Sequence, residues 1–547
     1  MTKQVRQKIS QAAQPAGALD NQRLRHFFAN ISTGLVSVQE AQTFDRLAIG
    51  QIGGDSESAS LELMERAALG LADVVLTKID LAQNKQTANV LVLCGPGNNG
   101  ADGIALVRLL TERGVFCELL LVHANKYSPE YKVQITKIPA SIKPWCYGAG
   151  QVDRAVADSI VSAQICSDQQ LIQLVDKATI VVDALLGTGQ KSTPSAAIAS
   201  LLSLIAKNKN TRAQYISIDI PTGINADSGE VYTPHFVADL CICIGLVKRG
   251  LLQYPARQEL SELAVVDIGW SREQQPFFEF NSPPLDAAIL ERASAAHKGS
   301  LGRVLVIAGS QNFPGAAVLV ANSALFSGAG LVTKAHLRGL PLPGLRPEVM
   351  LNLFGESGSE PSSFGIQDLK QLSELIQQSD AVVLGPGLGQ SSAILDLTAQ
   401  LLPLLINRPT VLDADALNVI AQFSHKDPIK FGAQTVLTPH PGEAARMLGL
   451  DSVAQVESDR YKTILELQQR YGGIFVLKGA ATIIASESKG FVNCTGSPLL
   501  ASAGSGDRLS GMIAALLARG FSALEAARLA VFRHGQLAER EYLIPWL

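Results

Sequence analysis

The sequence predicts an α/β fold in which two doubly wound parallel sheets follow one another along the chain. Three observations predict it. Short apolar runs of strand length recur from Val90 to Leu477, and they run into loops bearing glycine or aspartate and then into segments with helical spacing. The 547 residues exceed one ordinary core, since a domain takes roughly 100–200. Between Trp270 and Leu290 the chain turns Gln-, Pro- and Phe-rich, with Gln274-Gln275-Pro276-Phe277-Phe278 and Asn281-Ser282-Pro283-Pro284, and proline pairs disfavour regular structure. The expected division is a polar N-terminal extension over 1–35, a first domain over 36–275 and a second over 276–547.

Composition narrows the function classes. Hydrophobic residues at 47% and charged residues at 17% describe a globular chain with ample core. The formal net charge is -3, and no Lys/Arg block is interleaved with aromatics, so the electrostatic footprint of a nucleic-acid binder is missing and small molecules are the expected partners. The seven cysteines are scattered without a C-x-x-C pair, which fits a reducing cytosol. Cys241 and Cys243 alternate in an apolar run, as buried residues on one strand face do. No apolar run approaches the ~18 residues of a membrane span, and residues 1–35 lack a signal-peptide core, so a cytoplasmic protein is expected.

In the first domain, Val38 to Ala72 reads as amphipathic helix, with Leu61, Leu63, Met64, Ala67, Ala68 and Leu71 at helical spacing. The run Val90 to Cys94 suits a buried parallel strand, followed by a loop from Gly95 to Gly103 and a helix from Ile104 to Leu110. In a doubly wound sheet such a loop lies at the carboxyl end of its strand, where ligands bind. It does not match G-x-G-x-x-G with an acidic ribose ligand, which argues against an ordinary dehydrogenase. Asn98, Asn99 and Asp102 offer side-chain oxygens to a ligand or a monovalent cation, although Asn and Gly also serve plain turns. Two more strand ends repeat the logic. Thr179 to Leu186 runs into Gly187-Thr188-Gly189-Gln190-Lys191-Ser192-Thr193, and Tyr215 to Ile220 runs into Pro221-Thr222-Gly223, each placing an aspartate, Asp183 or Asp219, beside a glycine-bearing loop.

These motifs, with Asp219-Ile220-Pro221-Thr222-Gly223-Ile224-Asn225-Ala226-Asp227-Ser228-Gly229, resemble those of NAD(P)H-hydrate epimerases over roughly Val36 to Trp270. The resemblance implies a Rossmann-like N-terminal domain with potassium held by Asn99, Asp183 and Thr222. It further implies that the hydrated nicotinamide nucleotide meets Asn98, Asn99, Gly100, Ala101 and Asp102, together with Gly187, Thr188, Gly189, Gln190, Lys191, Ser192, Thr193 and Asp219. Asp219 and Lys191 would then handle protons. Two departures stand out: Ala101 occupies a position where the family has glycine, and would be strained if positive φ is needed there, and the arginine often found beyond the Gly-Thr-Gly loop is absent.

The second half is punctuated in the same way. Strand Val304 to Ala308 enters Gly309-Ser310-Gln311-Asn312-Phe313-Pro314-Gly315, and Ala316 opens a small-residue helix. Ala381 to Leu384 leads to Gly385-Pro386-Gly387-Leu388-Gly389, and Thr410 to Leu412 leads to Asp413-Ala414-Asp415-Ala416-Leu417-Asn418. His440-Pro441-Gly442-Glu443 follows another strand, then Phe475 to Leu477 with Lys478-Gly479-Ala480-Ala481-Thr482. Last comes Ala503-Gly504-Ser505-Gly506-Asp507-Arg508-Leu509-Ser510-Gly511, leading into an apolar segment, so that amides freed by glycine converge at a helix N-terminus fit for an anion. Asp507 in that first turn could take a proton from a hydroxyl facing a phosphoryl group, although Gly-Ser-Gly-Asp is also ordinary helix capping. His440 reads equally as a turn histidine and Lys478 as a solvated strand-end lysine. No Walker A motif is present.

Together with His297-Lys298-Gly299 these motifs resemble ADP-dependent NAD(P)H-hydrate dehydratases, from about Leu285 to the C-terminus, which implies a ribokinase-like α/β C-terminal domain. Both halves together resemble the bacterial bifunctional epimerase/dehydratases. Carried over by position, Lys478, Gly479, Ala480, Ala481, Thr482 and Gly506 would hold ADP, and Ala316, Gly387, His440 and Asp507 the hydrated nicotinamide, with Asp507 the catalytic base. Magnesium would accompany the nucleotide, and a homo-oligomer is expected. The residue after the aspartate is usually apolar in that family and here is Arg508, which could contact phosphate or point to solvent. The alternative is a vitamin-precursor or sugar kinase of the same fold with a noncatalytic N-terminal binding domain. A kinase leaves phosphate on its substrate, whereas the dehydratase releases it.

Overall fold

The computed structural model describes residues 33–53, 55–81, 87–148, 163–271, 273–283, 301–355, 363–423 and 428–539. The His297-Lys298-Gly299 motif, most of the N-terminal extension and the 284–300 part of the linker lie outside them. The chain forms two compact units that divide between Phe277 and Phe278.

The first unit runs β1 (Gly34–Val36), α1 (Val38–Ile52), α2 (Ser56–Leu81), β2 (Asn89–Cys94), α3 (Asn98–Glu112), β3 (Phe116–Val122), α4 (Pro129–Thr136), β4 (Trp145–Tyr147), β5 (Gln164–Ile165), α5 (Asp168–Lys177), β6 (Ile180–Ala184), α6 (Ala196–Lys207), β7 (Gln214–Ile218), β8 (Ala238–Ile244), β9 (Val247–Lys248) and β10 (Leu260–Val266). The single helix expected from Val38 to Ala72 is two. Gly53 at φ 80 ends α1, and the Asp55 carboxylate, accepting from Ser58 N at 2.9 Å, caps the start of α2. The parallel sheet has the order β10-β8-β7-β6-β2-β3-β4-β5. Alternation along each strand sends Val90, Val92, Val182 and Ile216 to the side of α2 and α3, and Leu91, Leu93, Val181 and Tyr215 to the side of α5 and α6. Strand order reverses between β2 and β6, which leaves a crevice where their two loops part.

Glycine is required at that crevice. A Cβ on Gly95 would stand 1.8 Å from Leu185 O, and one on Gly100 would stand 1.8 Å from Gly95 O. The expected loop from Gly95 to Gly103 is therefore mostly helix: α3 begins at Asn98, and Ala101 sits fully buried in its first turn, so no positive φ is asked of it and no strain arises.

The second unit contains β11 (Phe278–Phe280), β12 (Arg303–Ile307), α7 (Pro314–Phe326), β13 (Leu331–Leu337), β14 (Met350–Phe354), α8 (Leu369–Gln377), β15 (Ala381–Leu384), α9 (Ser392–Leu405), β16 (Thr410–Leu412), α10 (Asp415–Phe423), β17 (Phe431–Leu437), α11 (Pro441–Leu448), α12 (Val453–Ser458), α13 (Arg460–Tyr471), β18 (Gly472–Leu477), β19 (Thr482–Ala485), β20 (Gly490–Asn493), α14 (Ser505–Ala518) and α15 (Ala523–Glu539). The order is β14-β13-β12-β15-β16-β17-β18-β19-β20-β11, parallel from β14 to β18, with β19 antiparallel to both its neighbours. Val306, Val383, Val411, Val436 and Val476 pack under α7, α14 and α15. Order reverses here between β12 and β15, beside the loops that contain Phe313 and Gly387.

One core position opposes its surroundings. Lys334 on β13 is buried with its Nζ 2.9 Å from His336 Nδ1; burial pushes its amine down to about 8, and burial with the Lys334 charge pushes His336 down to about 4. Because the unfolded amine keeps its proton to about pH 10.4, stability tied to this group is present above that pH, is lost as pH falls toward 8 and stays lost below. Lys334→Met is expected to stabilise the second unit at pH 7 by up to about 3 kcal/mol, at ~1.4 kcal/mol per pKa unit. The gain should shrink between pH 8 and 10. Thermal melts across that range check it, and an unstabilised variant at pH 7 would show that the amine escapes to water.

Two candidate active sites

At the first unit's crevice lies a cavity of about 430 Å³, lined by residues that include Asp45, Asn98, Asn99, Asp102, Gly187, Thr188, Gly189, Asp219, Lys248 and Trp270. Asp219 ends β7 at φ 69, a left-handed conformation that a non-glycine residue adopts only where its neighbours hold it. They do so here: Asp219 N donates to Ile242 O at 2.8 Å, and Asp219 Oδ1 accepts from Ile244 N at 3.1 Å and from Lys248 Nζ. Lys248 Nζ also donates to Ile244 O at 2.8 Å. Burial lowers the Lys248 amine, but the Asp219 carboxylate outweighs it, so the lysine stays charged above its ordinary value. Asp102, in the second turn of α3, is pushed well above the usual carboxylate range by burial and by the negative charges of Asp219 and Asp45. Asp45 is fixed by Trp270 Nε1 at 3.0 Å.

Behind the cavity sits an oxygen-rich cluster. Thr222 N and Oγ1 each donate to Asp183 at 2.7 Å, and Leu186 N donates to Thr222 Oγ1 at 3.1 Å. Asn99 Nδ2 donates to Leu186 O at 3.0 Å, which leaves Asn99 Oδ1 buried without a partner. Burial lifts the Asp183 carboxyl to about 6 against the Thr222 and Leu185 donors. A buried carboxylate beside an orphaned amide oxygen is a donor set suited to a monovalent cation. Gln190 bridges Gly187 O and Gly223 N. Lys191, Ser192 and Thr193 are exposed and do not line the cavity.

In the second unit the pivot is Asp413, which follows β16 and is 2% exposed. Its Oδ1 accepts from Lys478 Nζ at 2.7 Å and from Ala414 N at 2.9 Å, and its Oδ2 accepts from Ser510 Oγ on α14 at 2.7 Å. Burial would raise this carboxyl, but the Lys478 ammonium and the Ser510 hydroxyl together hold it below its ordinary value. Lys478 Nζ thereby stands 3.4 Å from where a Cβ on Gly506 would be, so glycine there leaves the ammonium open to the start of α14. Asp507 faces this charge from the first turn of α14; burial and the Asp413 carboxylate lift it to about 6, against Lys478 and Arg508. Lys478, Gly479, Ala480, Ala481 and Thr482 form a tight turn, with Gly479 at φ 135, Ala481 at φ 53 and Thr482 Oγ1 donating to Gly479 O at 2.9 Å. His440 caps α11, its Nδ1 accepting from Gly442 N at 3.0 Å, while Glu443 accepts from His440 N at 2.8 Å. Burial, with Lys478 and Arg446, lowers the His440 imidazole. Gly387 and Ala316 face each other across the switch point, a Cβ on Gly387 lying 2.9 Å from Ala316 Cβ.

A family profile described as NAD(P)H-hydrate dehydratase matches residues 304–544, and one described as YjeF-related protein N-terminus matches residues 60–250. The bifunctional NAD(P)H-hydrate repair enzyme Nnr of Moorella thermoacetica is 33% identical over 92% of this chain and 91% of that protein. The protein of the same name from Coxiella burnetii is 34% identical over 93% and 95%. This chain belongs to the bifunctional NAD(P)H-hydrate repair enzymes. A solved ADP/ATP-dependent NAD(P)H-hydrate dehydratase from Bacillus subtilis, co-crystallised with ATP/Mg2+, is 31% identical, covering 46% of this chain and 84% of that one with a TM-score of 0.39.

Membership in the hydrate repair enzymes disfavours a kinase with a noncatalytic first half, since both halves match the family across its length. Within this repair enzyme, three groups at the sites went unread in the sequence. Lys248, rather than Lys191, is the lysine that meets Asp219; its only signal was a lysine shortly after the apolar run that ends at Gly245. Asp413 follows the apolar run Thr410 to Leu412, where aspartate reads equally as a turn residue. Arg460 braces the Lys478–Thr482 turn, its Nη2 donating to Lys478 O at 3.2 Å, and nothing in helical spacing announces it.

Proposed function

We propose that the first unit interconverts the R and S hydrates of NADH and NADPH, and that the second dehydrates the S form with ADP, yielding NAD(P)H, AMP and phosphate. The arrangement that carries the reading is Asp507 in the first turn of α14 next to Gly506, whose lack of a side chain leaves the Lys478 ammonium open to the helix start. The ring hydroxyl of a hydrate is a poor leaving group. Asp507 takes its proton as the oxygen attacks the terminal phosphorus of ADP, and the amides at the start of α14 steady the phosphoryl in transit while Lys478 holds the nucleotide phosphates. The phosphorylated oxygen then leaves with its bonding pair, pushed by the ring nitrogen, and loss of a proton from the adjacent carbon restores the dihydronicotinamide. No group of three or more metal-binding side chains occurs among the described residues; magnesium carried on nucleotide phosphates needs none. In the first unit Asp219 takes the proton of the same hydroxyl as the bond from its carbon to the ring nitrogen breaks, leaving an aldehyde and a nitrogen that takes a proton from Lys248; closure of the nitrogen on the aldehyde's other face, with both protons returned, inverts the carbon. Asn99, Asp183 and Thr222 would hold potassium, which when bound supplies a fixed positive charge beside the substrate.

Supplying pure S hydrate with ADP or ATP and measuring dihydronicotinamide absorbance, phosphate and AMP tests the reading: ADP should give the three products in equal amounts, whereas phosphate retained on the substrate would mean a kinase. Removing potassium is expected to slow hydrate interconversion while leaving the ADP-driven step on pure S substrate unchanged. Equal interconversion with and without potassium would remove Asn99, Asp183 and Thr222 as its ligands. No helix among the described residues is long and apolar enough to cross a membrane. Our reading is a cytoplasmic homo-oligomer without nucleic-acid or membrane partners, and sedimentation as a monomer would overturn the assembly.

A further inference from the structure

Asp507 divides the second site into two sides. Lys478 and Asp413 stand together on one, next to Gly506. Arg508 stands on the other. Its Nη1 is buried without a hydrogen-bond partner and lies 3.6 Å from where a Cβ on Gly504 would be. That point is 2.3 Å from Leu319 Cδ1, and Ser323 Oγ donates to Arg508 O at 2.7 Å, so Arg508 lies along α7. Leu319 is one helical turn from Ala316, which faces Gly387 at the switch point. The guanidinium thus occupies the hydrate's side of the base, and the nucleotide's cation, Lys478, the opposite side.

The charge balance around Arg508 is incomplete. Among the described residues Asp507 is the one carboxylate that acts on it appreciably, and the neighbouring His534 is lowered to about 4 by burial and by the Arg508 charge. We infer that Arg508 binds a phosphate group of the hydrated dinucleotide and sets the second unit's affinity for that substrate. The inference rests on the hydrate-repair reading. Two phosphates of the substrate could supply that anion: the diphosphate bridge shared by both hydrates, or the 2′-phosphate that the NADPH hydrate alone carries.

The test compares the parent with Arg508→Met and Arg508→Lys, using the S hydrates of NADH and NADPH in turn, with ADP. The Met variant should raise the KM for hydrate by roughly 10-fold or more, the scale of one charge-assisted hydrogen bond, leave the KM for ADP within about twofold, and be partly rescued by Lys. A rise for both hydrates identifies the diphosphate, and a rise for the NADPH hydrate alone identifies the 2′-phosphate. An unchanged hydrate KM, a rise confined to ADP, or a loss of kcat and melting temperature that lysine does not rescue would overturn the assignment. Calorimetric titration of the hydrates reads the same contrast without turnover. A parent that binds hydrate yet releases no phosphate would fault the repair reading while still deciding the role of Arg508.

Discussion

Asp507→Asn is expected to abolish nearly all dehydration while leaving epimerisation within about twofold of the parent. Asparagine is close in shape and still fits the first turn of α14, but it cannot accept the hydroxyl proton. Loss of a general base costs on the order of 10²–10⁴-fold, about 3–5 kcal/mol of barrier at ~1.4 kcal/mol per decade. The same carboxyl gives a pH signature. Lifted to about 6 by burial and Asp413, it is ionised and competent above that pH, so the parent's dehydration rate should fall about tenfold per unit as pH drops well below 6. Epimerisation is insulated because each unit has its own core and its own site. The assay is two rates on one sample: S hydrate with ADP followed by absorbance, and R-to-S conversion without nucleotide followed by chromatography. Near-parent dehydration would remove Asp507 as the base. A parallel fall of both rates would mean that the units do not act independently.

The sequence made the sheet layout and the ligand-bearing edge legible because apolar runs and glycine-rich turns are local signals. Strands such as Ala381–Leu384 and Thr410–Leu412 fall where apolar runs mark them, and the loops that follow them converge. What stayed hidden depends on the register between distant segments. Lys248 meets Asp219 only because β9 returns past the end of β7, and a lysine beyond a strand says nothing of its partner until that path is known. Arg460 reaches the Lys478 turn from α13 by the same kind of long-range placement. The start of α3 is hidden for a different reason. Asn98, Asn99, Gly100, Asp102 and Gly103 are poor helix formers by propensity, yet they open α3, since tertiary packing of the glycine face outweighs an intrinsic cost of up to about 1 kcal/mol per residue.

Lys248→Met is expected to abolish epimerisation, and Lys191→Met to leave it unchanged. The two lysines compete for one role. Lys191 is exposed on a loop outside the cavity lining, whereas Lys248 is 2% exposed and bonded to Asp219. Removing the ammonium takes away the proton partner and also leaves the Asp219 carboxylate poorly solvated and unpaired, a change that costs about 3–5 kcal/mol when a buried pair is broken from one side. Activity could therefore fall because the first unit unfolds. The double variant Asp219→Asn with Lys248→Met separates the two effects: with both charges gone the penalty largely disappears, so its melting temperature should return toward the parent's while epimerisation remains down by on the order of 10²–10⁴-fold. Dehydration of pure S hydrate, measured on the same samples, reports that the second unit is intact. An active Lys248→Met protein alongside an inactive Lys191→Met protein would instead show that the loop lysine reaches the substrate on binding, and that the Asp219–Lys248 pair only holds β7 to the turn after β8.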